Sequence, residues 1–247
     1  MHKLIAIFVV ATFLSPAIAE DSEGNFLYKV TTVRAATGSL SGLLDSIGEL
    51  KATDYFSESG EPTPLVMRHS QGDQWDLLII TPMNSWVSYY EDAAIERRTN
   101  MAQSIAELLD DRDALVAFSE DHFAYGPPFT TIQNAFKKNT FFHIEMFEAA
   151  AGKAAELLEQ RRMENVYLAA TGQTTNMIFR RAAGSDVDVF TIGFHPSLEA
   201  FAAPADVTDK EKDAAAKSAG FKELSDISFY LRSLITGHHD TLATRVN

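Results

Sequence analysis

The side chains best suited to chemistry in this chain are histidines and carboxylates, and their densest groups lie in its second half. His143 and Glu145 are two positions apart in an apolar stretch, Phe142-His-Ile-Glu-Met-Phe147. In an extended strand alternate residues share a face, so both side chains project the same way. A histidine beside a carboxylate can act as a general base with an orienting acid, or as half of a metal site. The same pair can also sit at a sheet rim or form a hydrogen bond between sheets. His195 ends a second apolar run and precedes Pro196, a loop position that either borders a pocket or lies on plain surface. His238-His239-Asp240 is the densest group of potential ligands. As a strand it puts His238 and Asp240 on one face and His239 on the other. Joined by His143 or His195 it holds donors for Zn, Mn or non-haem Fe, although no His-x-x-x-His spacing accompanies it.

Arginine offers a different chemistry. Arg68 and Arg180 occupy matching positions in two hairpin patterns. Facing inward, such an arginine grips a carboxylate or another anion through its two-pronged guanidinium; facing outward it solubilises the sheet. Tyr167 and Asn176 are further hydrogen-bonding candidates for a pocket, whereas Trp75, Phe190 and Phe194 read as core. The candidate set is therefore His143, Glu145 and His195 for catalysis, Arg180, Tyr167 and Asn176 for ligand binding, and His238, His239 and Asp240 for a metal. The sequence has no phosphate-binding glycine loop, G-x-S-x-G elbow, H-E-x-x-H helix or Rossmann fingerprint. It also has no cysteine, which excludes thiol catalysis, disulfides, Cys-ligated zinc and iron–sulfur clusters. These motifs leave the cofactor unknown.

The elements that must position these residues occur twice. Tyr28-Lys-Val-Thr-Thr-Val-Arg-Ala-Ala-Thr-Gly38 aligns without gaps on Phe142-His-Ile-Glu-Met-Phe-Glu-Ala-Ala-Ala-Gly152, and the match runs on through Leu43-Leu44-Asp45 and Leu157-Leu158-Glu159. A second block pairs Leu65-Val-Met-Arg68, Gly72 and Trp75-Asp76 with Met177-Ile-Phe-Arg180, Gly184 and Val187-Asp188. Self-similarity of this kind predicts two copies of one supersecondary unit packed on each other. Each copy begins with a strand, Tyr28, Val30 and Thr32 alternating with Lys29, Thr31 and Val33 in the first. A helix follows, with Leu40, Leu43, Leu44 and Ile47 as its apolar stripe; the second copy carries Ala154, Leu157 and Leu158, then Arg161. A hairpin comes next, its glycine supplying the positive φ of the turn. The outgoing strands, Trp75–Ile80 and Val187–Ile192, are apolar on nearly both faces and so should be covered on both sides. Asn84 and Ser197 are expected to cap the helices that follow. Residues 206–219 read as an exposed charged helix, and Gly126-Pro127-Pro128 opens a linker over 126–140. The repeats span 20–125 and 141–247.

The order strand, helix, strand, strand, helix, strand resembles the ferredoxin-like unit of the dimeric α+β barrel superfamily, closest in flavour to NIPSNAP-like and stress-responsive barrel proteins. Chlorite dismutases and their relatives also carry two such units per chain. The resemblance covers most of residues 26–245 and rests on pattern and order. It implies an α+β fold, two antiparallel sheets forming a barrel within one chain with helices outside. It also implies that the face carrying His143 and Glu145 lines the barrel interior. Fold likeness does not set function.

The first residues read as an export signal. Lys3 is followed by the apolar run Leu4–Leu14 and by Ala17-Ile18-Ala19, giving a signal peptide over 1–19, cleavage after Ala19 and a periplasmic or secreted protein. No later stretch is apolar enough to span a bilayer of ~30 Å. The net charge is -13, which disfavours nonspecific binding to nucleic acid or anionic membrane. The expected partners are a small-molecule ligand, no nucleic acid, no integral membrane segment after cleavage, and further copies of the chain if sheet edges remain unpaired. Two functions fit: an exported barrel that binds a small apolar or anionic ligand, as a monooxygenase- or isomerase-like enzyme, or a non-catalytic binding module of the cell envelope. A haem or metal protein is the third reading.

Overall fold

A computed structural model describes residues 22–246 of the chain, so the expected signal peptide and its cleavage point lie outside the described residues. The element order is β1 (Phe26–Ala35), α1 (Leu40–Ala52), α2 (Tyr55–Ser59), β2 (Leu65–Gln71), β3 (Leu77–Asn84), α3 (Trp86–Tyr89), α4 (Asp92–Ser104), α5 (Ala106–Asp113) and β4 (Val116–Gly126). Then come α6 (Phe129–Lys138), β5 (Phe141–Ala149), α7 (Ala154–Ala170), β6 (Asn176–Ala183), β7 (Val189–His195), α8 (Leu198–Ala202), α9 (Asp209–Ser218), α10 (Asp226–Leu234) and β8 (Ile235–Arg245).

All eight strands join one closed barrel in the order β1-β3-β2-β8-β5-β7-β6-β4. Within each half the strands follow the ferredoxin-like order, the fourth beside the first, then the third, then the second. The halves are hydrogen-bonded into each other at two antiparallel seams, β2 with β8 and β4 with β6. No described barrel strand therefore offers an open edge, and the fold removes the edge-driven motive for assembly.

The alternation read from the sequence divides each strand into two faces, and the packing of the barrel shows which of them is inward. Tyr28 and Val30 on β1, Phe142, Ile144 and Met146 on β5, and Phe190, Ile192 and Phe194 on β7 form one continuous buried core with Met67, Ile80 and Phe179. Phe179 and Phe190 stack at 4.4 Å, and Phe142 meets Phe194 edge-on at 5.4 Å. The intervening residues face outward under the helices. Val33, Val66 and Leu77 pack there on Leu43 and Ile47 of α1. Phe147, Ile178 and Val189 pack on Leu157 of α7 and on Leu231 and Leu234 of α10. Burial on both faces explains why β3 and β7 are apolar nearly throughout.

Two hydrogen bonds recur in matching places. Asp76 accepts from the Ala35 backbone N–H at 2.8 Å, and Asp188 accepts from that of Ala149 at 2.8 Å. Each pins the end of a half's first strand to its third. In the hairpin turns Gly72 and Gly184 have φ of 120° and 71°, conformations that side-chain-bearing residues rarely adopt.

Three local expectations are adjusted. The 126–140 connection carries α6, whose Ile132 and Phe136 plug one end of the barrel; Phe136 stacks on Phe142 at 5.3 Å. The cap after β3 is Ser85, whose side chain accepts from the Ser88 N–H, while Asn84 turns the chain with φ of 64°. Ser197 does cap α8. The charged helix, α9, starts at a Thr208–Glu211 capping box and buries Ala215 and Ala216, so only part of it is exposed.

The opposite barrel end holds a cavity of about 430 Å³ between the two hairpin turns, bordered by Arg34, Asp73, Glu120, His122, Glu148, Asp186 and His239. His122 is 3% exposed and its Nε2 has no hydrogen-bond partner. Burial pushes this imidazole down to about 4, against the opposing charges of Asp121 and Asp186. Between that value and the ordinary ~6.5 the unfolded chain binds the proton more readily, so stability should rise with pH across this window. Denaturant unfolding of the wild type at pH 4.5 and 7.5 should show a loss at the lower pH on the order of 2–3 kcal/mol beyond that of His122→Thr. Equal losses would remove His122 as the cause.

Candidate functional site

The outer faces of the two half-sheets differ because corresponding positions carry different side chains. In the first half, β1 presents Lys29, Thr31 and Val33, and α1 presents Leu43, Ile47 and Leu50. The aligned positions in the second half are His143, Glu145 and Phe147 on β5, and Leu157, Arg161 and Glu164 on α7. Two aliphatic residues of one half are thus an arginine and a glutamate in the other. That exchange separates an open cleft from an ionic cluster.

The first-half cleft encloses about 690 Å³ between the sheet and α1, α2, α4 and α5. Its floor and walls are apolar: Val33, Val66, Leu77, Ile79, Leu43, Ile47 and Leu50. Polar groups gather at one edge of the sheet. Lys29 Nζ lies 3.5 Å from Asp121, and the Thr31 hydroxyl donates to the same carboxylate. On the helical side Arg98 binds Glu61 at 2.9 Å and lies 3.9 Å over the Tyr89 ring, tying α3 and α4 to the segment before β2. Burial raises the phenols of Tyr55 and Tyr89, Glu61 adds to the rise and Arg98 opposes it. Both phenols therefore stay protonated at neutral pH and can donate hydrogen bonds into the cleft.

In the second half, Arg161 is 2% exposed and its side chain enters the corresponding space. It donates to Gln160 at 2.7 Å, pairs closely with Glu164, reaches Glu145 at 3.5 Å and lies 4.6 Å over the Phe147 ring. Glu145 also accepts from Thr191 of β7 at 3.3 Å. Burial alone would raise the Glu145 carboxyl, but His238, Arg161 and His143 around it outweigh that and hold it below the usual range. Beside it, His143 Nε2 meets Asp240 of β8 at 2.7 Å. Burial disfavours the charged imidazole of His143, yet the Asp240 contact and the Glu145 charge outweigh it and raise its pKa. The His238 ring stacks on Phe147 at 4.8 Å, with Nε2 3.4 Å from Glu145.

The sequence candidates divide accordingly. His143, Glu145, His238 and Asp240 come together on one face, because β5 and β8 are neighbours with Glu145 opposite Asp240 and Phe147 opposite His238. That face is the helix-covered outside of the barrel, not the interior, because Phe142, Ile144 and Met146 take the inward positions. His239 points to the other side and reaches Asp73 at 3.3 Å, so it leaves the metal candidates. His195 sits on the outer face near His143, with Phe201 of α8 5.2 Å from its ring and 4.9 Å from that of His143. Gly193 makes room for it: a Cβ there would lie 2.8 Å from His195 Nε2. Burial, with the His143 charge added, lowers the His195 pKa.

The proposed ligand-binding trio does not converge. Arg180 faces outward, bonded to Asn25 and lying 4.5 Å over the Tyr125 ring. Asn176 is held through its backbone by Asn165, in contacts of 2.8 and 2.7 Å that fasten α7 to β6. Tyr167 lies half-buried on α7, outside the residues lining the first-half cleft. Sequence reasoning missed Arg161 as a buried group, although the break it makes in the α7 stripe was the available signal. It also missed Asp121, Tyr55, Glu61 and Arg98, whose distant positions along the chain gave none.

No protein-family model matches the chain, and no curated protein matches it. Solved structures do. An anthrone oxidase-like protein aligns over 92% of this chain and 94% of its own, with 12% identity and a TM-score of 0.56. A "putative monooxygenase" from Lactobacillus acidophilus NCFM aligns over 90% and 94%, with 10% identity and a TM-score of 0.51. At these identities the likeness establishes the fold: a ferredoxin-like α+β barrel, built here within one chain.

Replacing Arg161 by Ala would leave Glu145 and Glu164 without their buried counter-charge and should destabilise the protein by about 3 kcal/mol. The double variant Arg161→Ile with Glu164→Leu installs the residues found at positions 47 and 50, and should recover most of that loss in denaturant unfolding.

Proposed function

We propose that the protein binds a small, largely apolar molecule bearing one acidic or phenolic group, in the first-half cleft, and acts on it as a monooxygenase-like barrel outside the cytoplasm. The observation that carries this reading is the cleft itself: an apolar bed of about 690 Å³ with Lys29, Thr31 and Asp121 at one edge and the half-buried phenols of Tyr55 and Tyr89 above. Volume, apolar walls and a few placed polar groups are the usual marks of a small-molecule site. Lys29 would neutralise the ligand's anionic group, and Asp121 would accept a proton from it. The names of the two structural neighbours, an anthrone oxidase-like protein and a "putative monooxygenase", support oxidative chemistry as the reaction class. Export is supported by Lys3, the apolar run from Leu4 and Ala17-Ile18-Ala19. Origin by duplication is supported by the aligned blocks of the two halves, and a likeness to NIPSNAP-like or stress-responsive barrels by the order of strands and helices in each half.

A second reading, a non-catalytic binding module, is favoured by the barrel interior, which is filled with side chains from both halves. It uses the same cleft without turnover.

Anilinonaphthalene sulfonate, an apolar anion, should bind the purified protein at one saturable site. Ile79→Trp fills the cleft and should weaken binding by about tenfold or more, equivalent to ~1.4 kcal/mol. Lys29→Met should weaken the sulfonate but not the uncharged N-phenylnaphthylamine. If both folded variants bind both probes like the wild type, the cleft is not the site.

A further inference from the structure

We infer that the outer face of the second half is a binding site for a divalent first-row transition metal of the zinc type, with His143, Glu145, Asp240 and His238 as its donors. The site is independent of the first-half cleft. Ligand atoms of His143, Glu145 and Asp240 all lie within 4.8 Å of one another. A tetrahedral ion with bonds of ~2.1 Å holds its donors about 3.4 Å apart, so small adjustments bring these three onto an ion, and His238, whose Nε2 lies 3.4 Å from Glu145, would turn toward it to complete the shell.

Three features go beyond a chance meeting of charged groups. The donor set is mixed: two imidazoles and two carboxylates, a composition that suits zinc and its neighbours and does not suit Mg²⁺ or Ca²⁺, which prefer oxygen alone. Its charge matches a divalent cation. Arg161 pairs closely with Glu164 and reaches Glu145 only at 3.5 Å, through the oxygen turned away from His238, so the Arg161–Glu164 pair balances itself and the carboxylates of Glu145 and Asp240 can offset two positive charges. The donors are also oriented from outside the cluster. Thr191 at 3.3 Å and Arg161 at 3.5 Å engage Oε2 of Glu145, while Oε1 is the oxygen nearest His238. The His238 ring lies stacked against Phe147, and its Nε2 is enclosed and without a hydrogen-bond partner, 3.4 Å from Glu145. An enclosed imidazole nitrogen without a partner, beside two carboxylates, is a donor position that an ion would satisfy. Asp240, half-exposed, gives the ion its way in.

The test uses the full chain after chelator treatment, titrated with ZnCl₂ by calorimetry and with CoCl₂ by visible absorption. One ion per chain should bind, with the intense d–d bands of a low-coordinate cobalt site and a raised Tm. Asp240→Asn at the exposed side and His143→Gln should each weaken zinc by more than the ~10–100-fold that loss of an outer partner costs. Thr191→Ala should fall within that range, and His239→Ala, on the opposite face of β8, should leave binding unchanged. Weak binding of several ions, a six-coordinate cobalt spectrum, or equal affinity of the Asp240→Asn and His239→Ala proteins would each overturn the assignment.

Discussion

Closure of the sheet is the constraint on which the rest of this structure depends. Each half has two edge strands, and each edge is used up by the other half, β2 on β8 and β4 on β6. Once those ladders form, the alternation of every strand is tied to that of its neighbours, because a slip of one residue would turn the aromatic row outward. Tyr28, Phe142, Phe179 and Phe190 are fully enclosed as a result, and their packing leaves the interior a core.

With the interior packed, the first-half cleft and the ionic cluster both lie on the outside of the barrel. The outward rows are covered by helices, and what those helices contribute decides whether a half is open or ionic. Ile47 and Leu50 on α1 leave an apolar cleft; Arg161 and Glu164 on α7 fill the equivalent space with a charge network. A buried ion pair costs desolvation and is no proof of stability, so its place on α7, where α1 carries Ile47 and Leu50, marks a local specialisation of that half. The two halves thus share a scaffold, including the Asp76 and Asp188 pins, while presenting opposite chemistry.

The barrel ends are treated differently too. One is plugged by α6, with Tyr28 donating to the Pro127 carbonyl at 2.7 Å and Arg245 donating to the last carbonyls of that helix. The other is left as a polar cavity between the hairpin turns, with His122 buried at its base. Strands of a closed barrel expose their last inward residues at each rim, and polar residues there are tolerated only where water or a partner can reach them. His122 sits one step deeper than that, which is why its imidazole stays neutral well below the ordinary range.

The sequence by itself determined the unit and its repetition. Period-two alternation in Tyr28–Val33 and Phe142–Phe147, the glycine turns and the matched Asp76 and Asp188 are local signals, and local signals specify strands, hairpins and order. The same alternation placed His143 with Glu145 and His238 with Asp240. It did not say which side of the sheet was inside, because a helix-covered barrel buries both faces of its strands and either row can line the interior. Only the tertiary structure put that row under α7. Only the folding of the second half, which returns its fourth strand β8 alongside its first strand β5, lets residues almost a hundred positions apart meet at 2.7 Å. The cleft was illegible for the same reason: Lys29, Tyr55, Arg98 and Asp121 converge through strand pairing and helix packing, and no spacing along the chain records either.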